Sequence, residues 1–575
     1  MGPGPRGRAV RPGEPPGLVC RLPARSVERR RPGSRASSCG AARPRHAHRA
    51  RAGAEMTRPA TQRSAASNLL TGTAAKYALL VINIAIGVWM MPFTVGHLGK
   101  SDYGLWMLVV SMTYYFQLLD LGYGNGLVRQ IAAADSAGDE QAVNQVASTF
   151  VVIYAAIGAL ALGLVGLLAV TLIPRFPNLT PSQVATAQWV LLVMGVRIAV
   201  GFPMTVFGAV TTARQRFALN TSIAIVVSLV SAGVTYLVLS GNHGLRVLVP
   251  ATTAVSLLSY VAYARAARLA FPGLRLSRSL FSRRHLREVT SFSVYLFLID
   301  IAVQLGFNLD NVVLGAYLGT SAVAVYAVAS RLADYQRQLC NQFNGLLFPV
   351  VVGFGARADL PRLRATLLDG TRLAFGLVLG VTISLVAFAE PLVLFWMGAD
   401  FRESLPALYA LAVAGLVLVA QGPLGNILLG TGRHRLVAAA ALSEALINVA
   451  LSLVFVRWWG VTGVAVGTAI PVVAVNLLVL LPAACRVVQV PVGELLRTAT
   501  APGLLSAVPA VAAALAFRRY MPPSSLIEVV LEGALSGLVF VLFFARFGLP
   551  RGDRARYLGY LRRLVPVGGA GAAFL

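Results

Sequence analysis

The chain has 575 residues, 57% of them hydrophobic and only 13% charged, with a formal net charge of +28 and a mean hydropathy of +0.71. Such a composition excludes a soluble globular domain and describes a helical chain that crosses a membrane many times. The charge does not mark a nucleic-acid binder, because residues 1–55 alone hold thirteen arginines against three acids.

Those first 55 residues are rich in Gly, Pro and Ser, lack apolar periodicity and cannot bury enough surface to fold. They also lack the apolar core of a signal peptide. Met56 opens a short basic leader of the kind that precedes a first span. Residues 1–55 therefore read as a disordered Arg-rich tail, either a mis-assigned start or a basic arm that touches anionic lipid. Cys20 and Cys39 lie in this tail, Cys340 in a span and Cys485 at a span end, so the cysteines form no disulfide framework.

About fourteen apolar runs follow, and about 20 residues suffice to cross a bilayer. The expected spans are 73–98, 104–130, 144–173, 183–213, 218–240, 244–264, 289–318, 321–350, 371–397, 405–432, 436–458, 461–484, 499–520 and 526–548. No loop between them is long enough for a soluble domain. Lys and Arg concentrate on one set of loops, which by the positive-inside rule faces the cytoplasm and carries both termini. The longest of these loops, 265–288, holds Arg265, Arg268, Arg275, Arg278, Arg283, Arg284 and Arg287. It joins two halves.

The halves look duplicated. His97-Leu98-Gly99 returns as Tyr317-Leu318-Gly319, Gln215-Arg216 as His434-Arg435, and Gly244 as Gly463, all offset by about 220 residues. Six crossings per copy make the copies parallel, and transporters often place a substrate path between such halves. The expected fold is an all-α polytopic membrane protein of about 14 transmembrane helices, two parallel six-helix repeats plus two C-terminal helices. The expected division is a tail at 1–55, a six-helix bundle at 56–264, a basic cytoplasmic linker at 265–288, a second six-helix bundle at 289–484, helices 13 and 14 at 485–548, and a cytoplasmic tail at 549–575.

Charges deep in apolar spans are the informative residues, since each costs about 3 kcal/mol on insertion scales. Arg197 sits near the middle of span 4 among apolar neighbours. At 100° per residue, Arg331, Asp334, Tyr335, Gln338, Asn341 and Gln342 share an arc of span 8, while Asp300, Gln304 and Asn311 share a face of span 7 with Asp310 turned away. Such stripes face a wet cavity or another helix. Arg331 and Asp334 could equally neutralise each other, and Asp300 could pair with Arg197 or Arg331. Asp120, Arg129, Asp310 and Glu444 suit gating or packing, with Glu444 and Asn448 reading as an interhelical hydrogen-bonding pair. Tyr114, Tyr115 and Tyr123 suit sugar stacking or interfacial anchoring. No nucleotide-binding loop, zinc spacing or catalytic triad appears, so no catalytic residue, metal ligand or cofactor is assigned.

HLGKSDYGLW (His97–Trp106) with LLDLGYGNGLVRQ (Leu118–Gln130), and FNLDNVVLGAYLGTSAVAVYAVASRL (Phe307–Leu332), resemble the two signatures of bacterial polysaccharide (O-antigen and exopolysaccharide) flippases. That family belongs to the multidrug/oligosaccharidyl-lipid/polysaccharide exporter superfamily. Many relatives have a basic residue after the Asp of the second signature; here it is Asn311, so no basic contact carries over. The resemblance covers residues 60–550. It implies a bacterial inner-membrane flippase, not an enzyme, that moves an isoprenoid-pyrophosphate-linked oligosaccharide from the inner to the outer leaflet by alternating access. Implied partners are the lipid-linked substrate, membrane lipids, a coupling cation, and a polysaccharide polymerase with glycosyltransferases. A cation-coupled multidrug exporter of the same superfamily and an integral-membrane glycan-processing enzyme are the alternatives. The first would want a carboxylate-rich aromatic cavity, and the second acids or bases on a substantial aqueous loop.

Overall fold

The computed structural model describes residues 60–549. The expectations for the tail at 1–55, its two cysteines, the Met56 leader and the tail beyond Leu549 lie outside the described residues. Among the described residues, twelve helices are long and apolar enough to cross a membrane. Two of them are broken by a glycine in the left-handed region, at Gly99 (φ 77°) and Gly460 (φ 55°). Each of these makes two passes, which brings the number to the fourteen that the apolar runs predict.

In chain order the helices are α1 and α2 (Ala75–Asp120, parted at Gly99), α3 (Tyr123–Ser136), α4 (Glu140–Thr171), α5 (Pro181–Ala213), α6 (Phe217–Ser240), α7 (Leu245–Ala270) and α8 (Arg283–Tyr317). There follow α9 (Thr320–Ala356), α10 (Leu360–Ala387), α11 (Ala389–Met397), α12 (Leu405–Ala420), α13 (Gly422–Gly430), α14 and α15 (His434–Val487, parted at Gly460), α16 (Val492–Tyr520) and α17 (Leu526–Gly548). Three expected spans prove to be jointed. The run 104–130 breaks at Leu121 and Gly122, 371–397 breaks at Phe388, and 405–432 breaks at Gln421, just before Pro423. Hydropathy cannot see such joints, because an apolar helix and an apolar break look alike in a window average.

The repeat is written in the turns. Gly99 (φ 77°, ψ 164°) and Gly319 (φ 86°, ψ 179°) adopt the same backbone conformation 220 residues apart, one that a Cβ would strain. Gly138 and Ala358 share a left-handed φ at the same offset, and each is followed by an aspartate that caps the next helix. Asp139 accepts from the Ala142 N–H and Asp359 from the Arg362 N–H. Two expected matches shift register. The left-handed Gln215 corresponds to Gly432, so Arg216 matches Arg433 rather than Arg435. Both arginine N–H groups close the same turn, onto Thr211 O and Leu428 O. Asn242 corresponds to Gly460, which moves Gly244 onto Thr462 rather than Gly463. The turn geometry sets the correspondence, and a nearby residue of the same type misleads.

Within the first six passes α4 lies along α5 and α5 along α7; in the second, the α14–α15 pair packs on α8 and α12 packs on α9. Helices α16 and α17 lie against each other and against α10. Leu237, Leu258, Leu478 and Leu505 are each 70% or more exposed, an outer surface that only lipid can cover.

The halves meet tightly at the end that carries Gly99 and Gly319. Gly104 of α2 rides directly on the Thr320 carbonyl of α9, where a Cβ would lie 2.6 Å from the carbonyl carbon. Ser101 and Thr320 hydroxyls are 3.1 Å apart, Gln183 Nε2 donates to Ser101 at 2.8 Å, and Asn178 Nδ2 donates to Ala316 O at 2.8 Å. Lys100 Nζ donates to Asp400 O at 2.7 Å, and Trp396 Nε1 to Val88 O at 2.6 Å.

Candidate functional site

Below that seal the halves diverge around two adjoining cavities, of about 900 Å³ and about 330 Å³. Trp106, Val110 and Tyr114 of α2 line both and form the wall between them.

The larger cavity is walled by α2, α5, α7 and α8. Arg197 projects into it from the middle of α5, beside the Tyr260 hydroxyl, and makes no ion pair among the described residues. Asp300 and Gln304 enter from α8, and Asp120 lies at the end of α2. The remaining polar lining is neutral: Thr113, Gln117, Thr205, Thr252, Thr253 and Tyr263. Asp120 is held at the break between α2 and α3. Its Oδ1 accepts from Tyr154 Oη at 2.6 Å and its Oδ2 from the Gly124 N–H at 3.2 Å, so it caps the start of α3. Leu121 (φ 52°) and Gly122 (φ 73°) are both left-handed there. Leucine pays roughly 1 kcal/mol in that region, and the cap helps offset it. The expected pairing of Asp300 with Arg197 or Arg331 is not formed among the described residues, so the halves are not locked through it.

The smaller cavity lies among α2, α8, α9, α12 and α15 and takes in Arg331, Asp334, Asn311 and Asp310. Asp334 does not neutralise Arg331 as the spacing allowed. It pairs instead with Arg337, one turn further on, a lining residue that the sequence reading passed over. Its i,i+3 spacing from Asp334 was the signal. Arg331 makes no ion pair among the described residues. Asn311 Nδ2 donates to Ser111 Oγ at 2.7 Å across the halves, while its Oδ1 is buried without a partner. Asp310 is buried, its Oδ2 accepting from Tyr326 Oη and, at 2.8 Å, from Thr468 Oγ1. Asn448 joins the same network, its Nδ2 donating to Gly306 O at 3.0 Å and its Oδ1 accepting from Ser452 at 2.9 Å. Asn308 Nδ2 donates to Gln304 Oε1 at 2.6 Å and so connects the two cavities along α8.

Other expected residues fall elsewhere. Gln338 is exposed on α9 and lines neither cavity, and Arg129 is exposed on α3. Glu444 Oε2 accepts from Asn476 at 3.1 Å and Asn448 donates to Gly306 O, so this pair does bond to other helices. Tyr114 borders both cavities, whereas Tyr123 is core, edge-on to Phe150. Among its described lining residues the larger cavity has one arginine and two aspartates.

This arrangement can hold a large polar body between two helical halves. The polysaccharide biosynthesis protein family matches residues 69–354, which include both signature segments and most of the lining of the large cavity. Over that stretch the chain resembles that family. Its relatives include the teichuronic acid biosynthesis protein TuaB of Bacillus subtilis (strain 168), 23% identical over 27% of this chain and 32% of that protein. The succinoglycan biosynthesis transport protein ExoT of Rhizobium meliloti (strain 1021) is 28% identical over 29% of this chain and 34% of that protein. The chain thus spans about a third of each of these relatives. Among solved structures, the inward closed conformation of the lipid II flippase MurJ superposes with a TM-score of 0.64 at 15% identity, covering 83% of this chain and 99% of that one. The chain shares the all-α fold of that structure, and it is a multi-pass membrane protein.

Proposed function

We propose that this protein is a flippase that moves an isoprenoid-pyrophosphate-linked oligosaccharide from the inner to the outer leaflet for polysaccharide assembly. The observation that carries the reading is the larger cavity, whose wall carries threonine, tyrosine and glutamine side chains, two aspartates, and Arg197, which makes no ion pair among the described residues. Hydroxyls and amides match a sugar head, and a guanidinium fork matches phosphate oxygens. Arg197, Asp300, Gln304 and, in the smaller cavity, Arg331, Asp334 and Asn311 are the proposed cargo contacts; Gln338, which lines neither cavity, is proposed to meet the cargo only in a rearranged state. Asp120, Arg129 and Glu444 are assigned to gating and packing.

On this reading the arginine-rich loops face the cytoplasm of a bacterial inner membrane, with the seal at Gly99 and Gly319 at the outer face and the cavity open inward. The division into bundles at 56–264 and 289–484, with 265–288 between them, makes the two rocking bodies of alternating access. Cation coupling belongs to this reading: Asp310 is a buried carboxylate surrounded by hydroxyl and amide groups, with no basic partner among the described residues. A polymerase and glycosyltransferases would act on the same cargo before and after. The test is transport of a lipid-linked oligosaccharide across proteoliposome leaflets by the purified full-length chain. Failure to move it, with a fluorescent cationic drug moved instead, overturns the proposal in favour of a multidrug exporter.

A further inference from the structure

Arg197 and Arg331 are parted by the α2 wall. Arg197 belongs to the 900 Å³ space and Arg331 to the 330 Å³ space. The smaller one suits a single sugar ring and is too narrow for a whole oligosaccharide head. Its charges are specific in their engagements. Arg337 is taken by Asp334, and the Asp310 Oδ2 is turned toward Tyr326 and Thr468. Arg331 has no such partner among the described residues. An arginine desolvated in this way is stabilised by an anion, and most strongly by a planar carboxylate that accepts two parallel N–H bonds.

A second observation points to the same ligand. Asn311 is 8% exposed and its Oδ1 has no hydrogen-bond partner, though its amide nitrogen is fixed on Ser111. A buried acceptor left unmade costs about 1–3 kcal/mol, and a ligand hydroxyl would satisfy it. Asn308 and Ser330 add further neutral polar groups on the same lining. A carboxylate for Arg331 together with hydroxyl donors for Asn311 describes one chemical body.

We propose that the smaller cavity is a subsite for a carboxylated sugar residue of the cargo, such as a uronic acid, distinct from the pyrophosphate contact at Arg197. The proposal rests on the flippase reading and deepens it. A cation at Asp310 leaves the net positive charge of this space on Arg331. The cargo would then be gripped at two places on opposite faces of α2, the lipid-linked end in the larger cavity and an acidic sugar in the smaller. A repeat unit without an acidic sugar would lose the second grip.

Binding is read from tryptophan fluorescence, since Trp106 borders both cavities, with full-length protein in detergent micelles. The probes are a glucuronic-acid-terminated disaccharide, its neutral glucose counterpart, and geranyl pyrophosphate. The wild type is expected to prefer the acidic disaccharide over the neutral one by about tenfold or more, the worth of one charge-assisted bond. Arg331→Gln is expected to abolish that preference, and Arg331→Lys to retain part of it. Asn311→Leu is expected to weaken both disaccharides alike. Equal binding of the two disaccharides by the wild type, with geranyl pyrophosphate still bound, overturns the subsite and leaves the flippase reading standing. An unchanged preference in folded Arg331→Gln also overturns it. Binding of none of the three probes removes the flippase reading and the subsite with it.

Discussion

Replacing Gly104 by alanine should loosen the outer seal without unfolding the protein. A Cβ at this position meets the Thr320 carbonyl head-on, 2.6 Å from its carbon and 3.2 Å from the Ala324 nitrogen. Ordinary contact begins at 3.4 Å, so α2 and α9 must part by about 1 Å, and both opposing groups are helical backbone that cannot rotate away. Overpacking of this kind costs about 1–3 kcal/mol. Because the clash exists only while the halves touch at this end, the cost falls on the sealed conformation. About 2 kcal/mol shifts that equilibrium by roughly thirtyfold. A single cysteine at Ser111, whose hydroxyl accepts from Asn311 below the seal, would report the shift through faster labelling by an impermeant maleimide applied from the outer side. Immunoblotting gives membrane abundance in parallel. Normal abundance with unchanged labelling in Gly104→Ala would refute the reasoning, whereas loss of the protein from the membrane would show that the contact belongs to folding.

Arg197→Ala should lower transport at least tenfold with membrane abundance retained, and Arg197→Lys should fall between it and the wild type, because lysine keeps the charge and loses the fork; transport and abundance measured together decide it. Arg214→Ala should lower the melting temperature of the purified protein by a few degrees. The Arg214 guanidinium grips Asp135 through Nε at 3.1 Å and Nη2 at 2.5 Å, donates to Ala270 O at 2.6 Å and stacks on Phe271, a part-buried anchor worth about 1–3 kcal/mol. Asp310→Asn should abolish any dependence of transport on the cation gradient while leaving the fold intact, since asparagine can still accept from Tyr326 and Thr468; a cation-dependent Asp310→Asn would place the coupling elsewhere. Spin labels spanning the α2–α3 joint should broaden in distance between cargo-free and cargo-bound protein, whereas labels at matching positions on α9 should not.

Much of the fold was legible in the sequence because apolar length is a strong signal and the bilayer sets it. The fourteen passes followed from hydropathy, and the repeat from Gly99 and Gly319, whose conformation few other residues adopt. The joints were not legible: Leu121 is a left-handed leucine inside an apolar run, and no local pattern announces that Asp120 will cap the helix beyond it. For the site, helical spacing placed Arg197 and Arg331 on polar faces, but which wall stands between them is a matter of how α2 seats against α8. The Asp334–Arg337 pair shows the same limit, since spacing offered Asp334 two arginines, at i−3 and i+3, and packing chose one.

The two copies of the repeat are unequal where it counts for motion. The second helix of the first copy is jointed at Leu121 and Gly122, while its counterpart α9 runs unbroken from Thr320 to Ala356. A hinged arm thus faces a rigid beam. When the inner ends draw together, the first copy can fold at its elbow, with Asp120 as the pin that Tyr154 steadies, and the second can only swing as a whole. A duplicated scaffold of this kind would close like a jaw with one moving bone, and the elbow lies on the rim of the larger cavity.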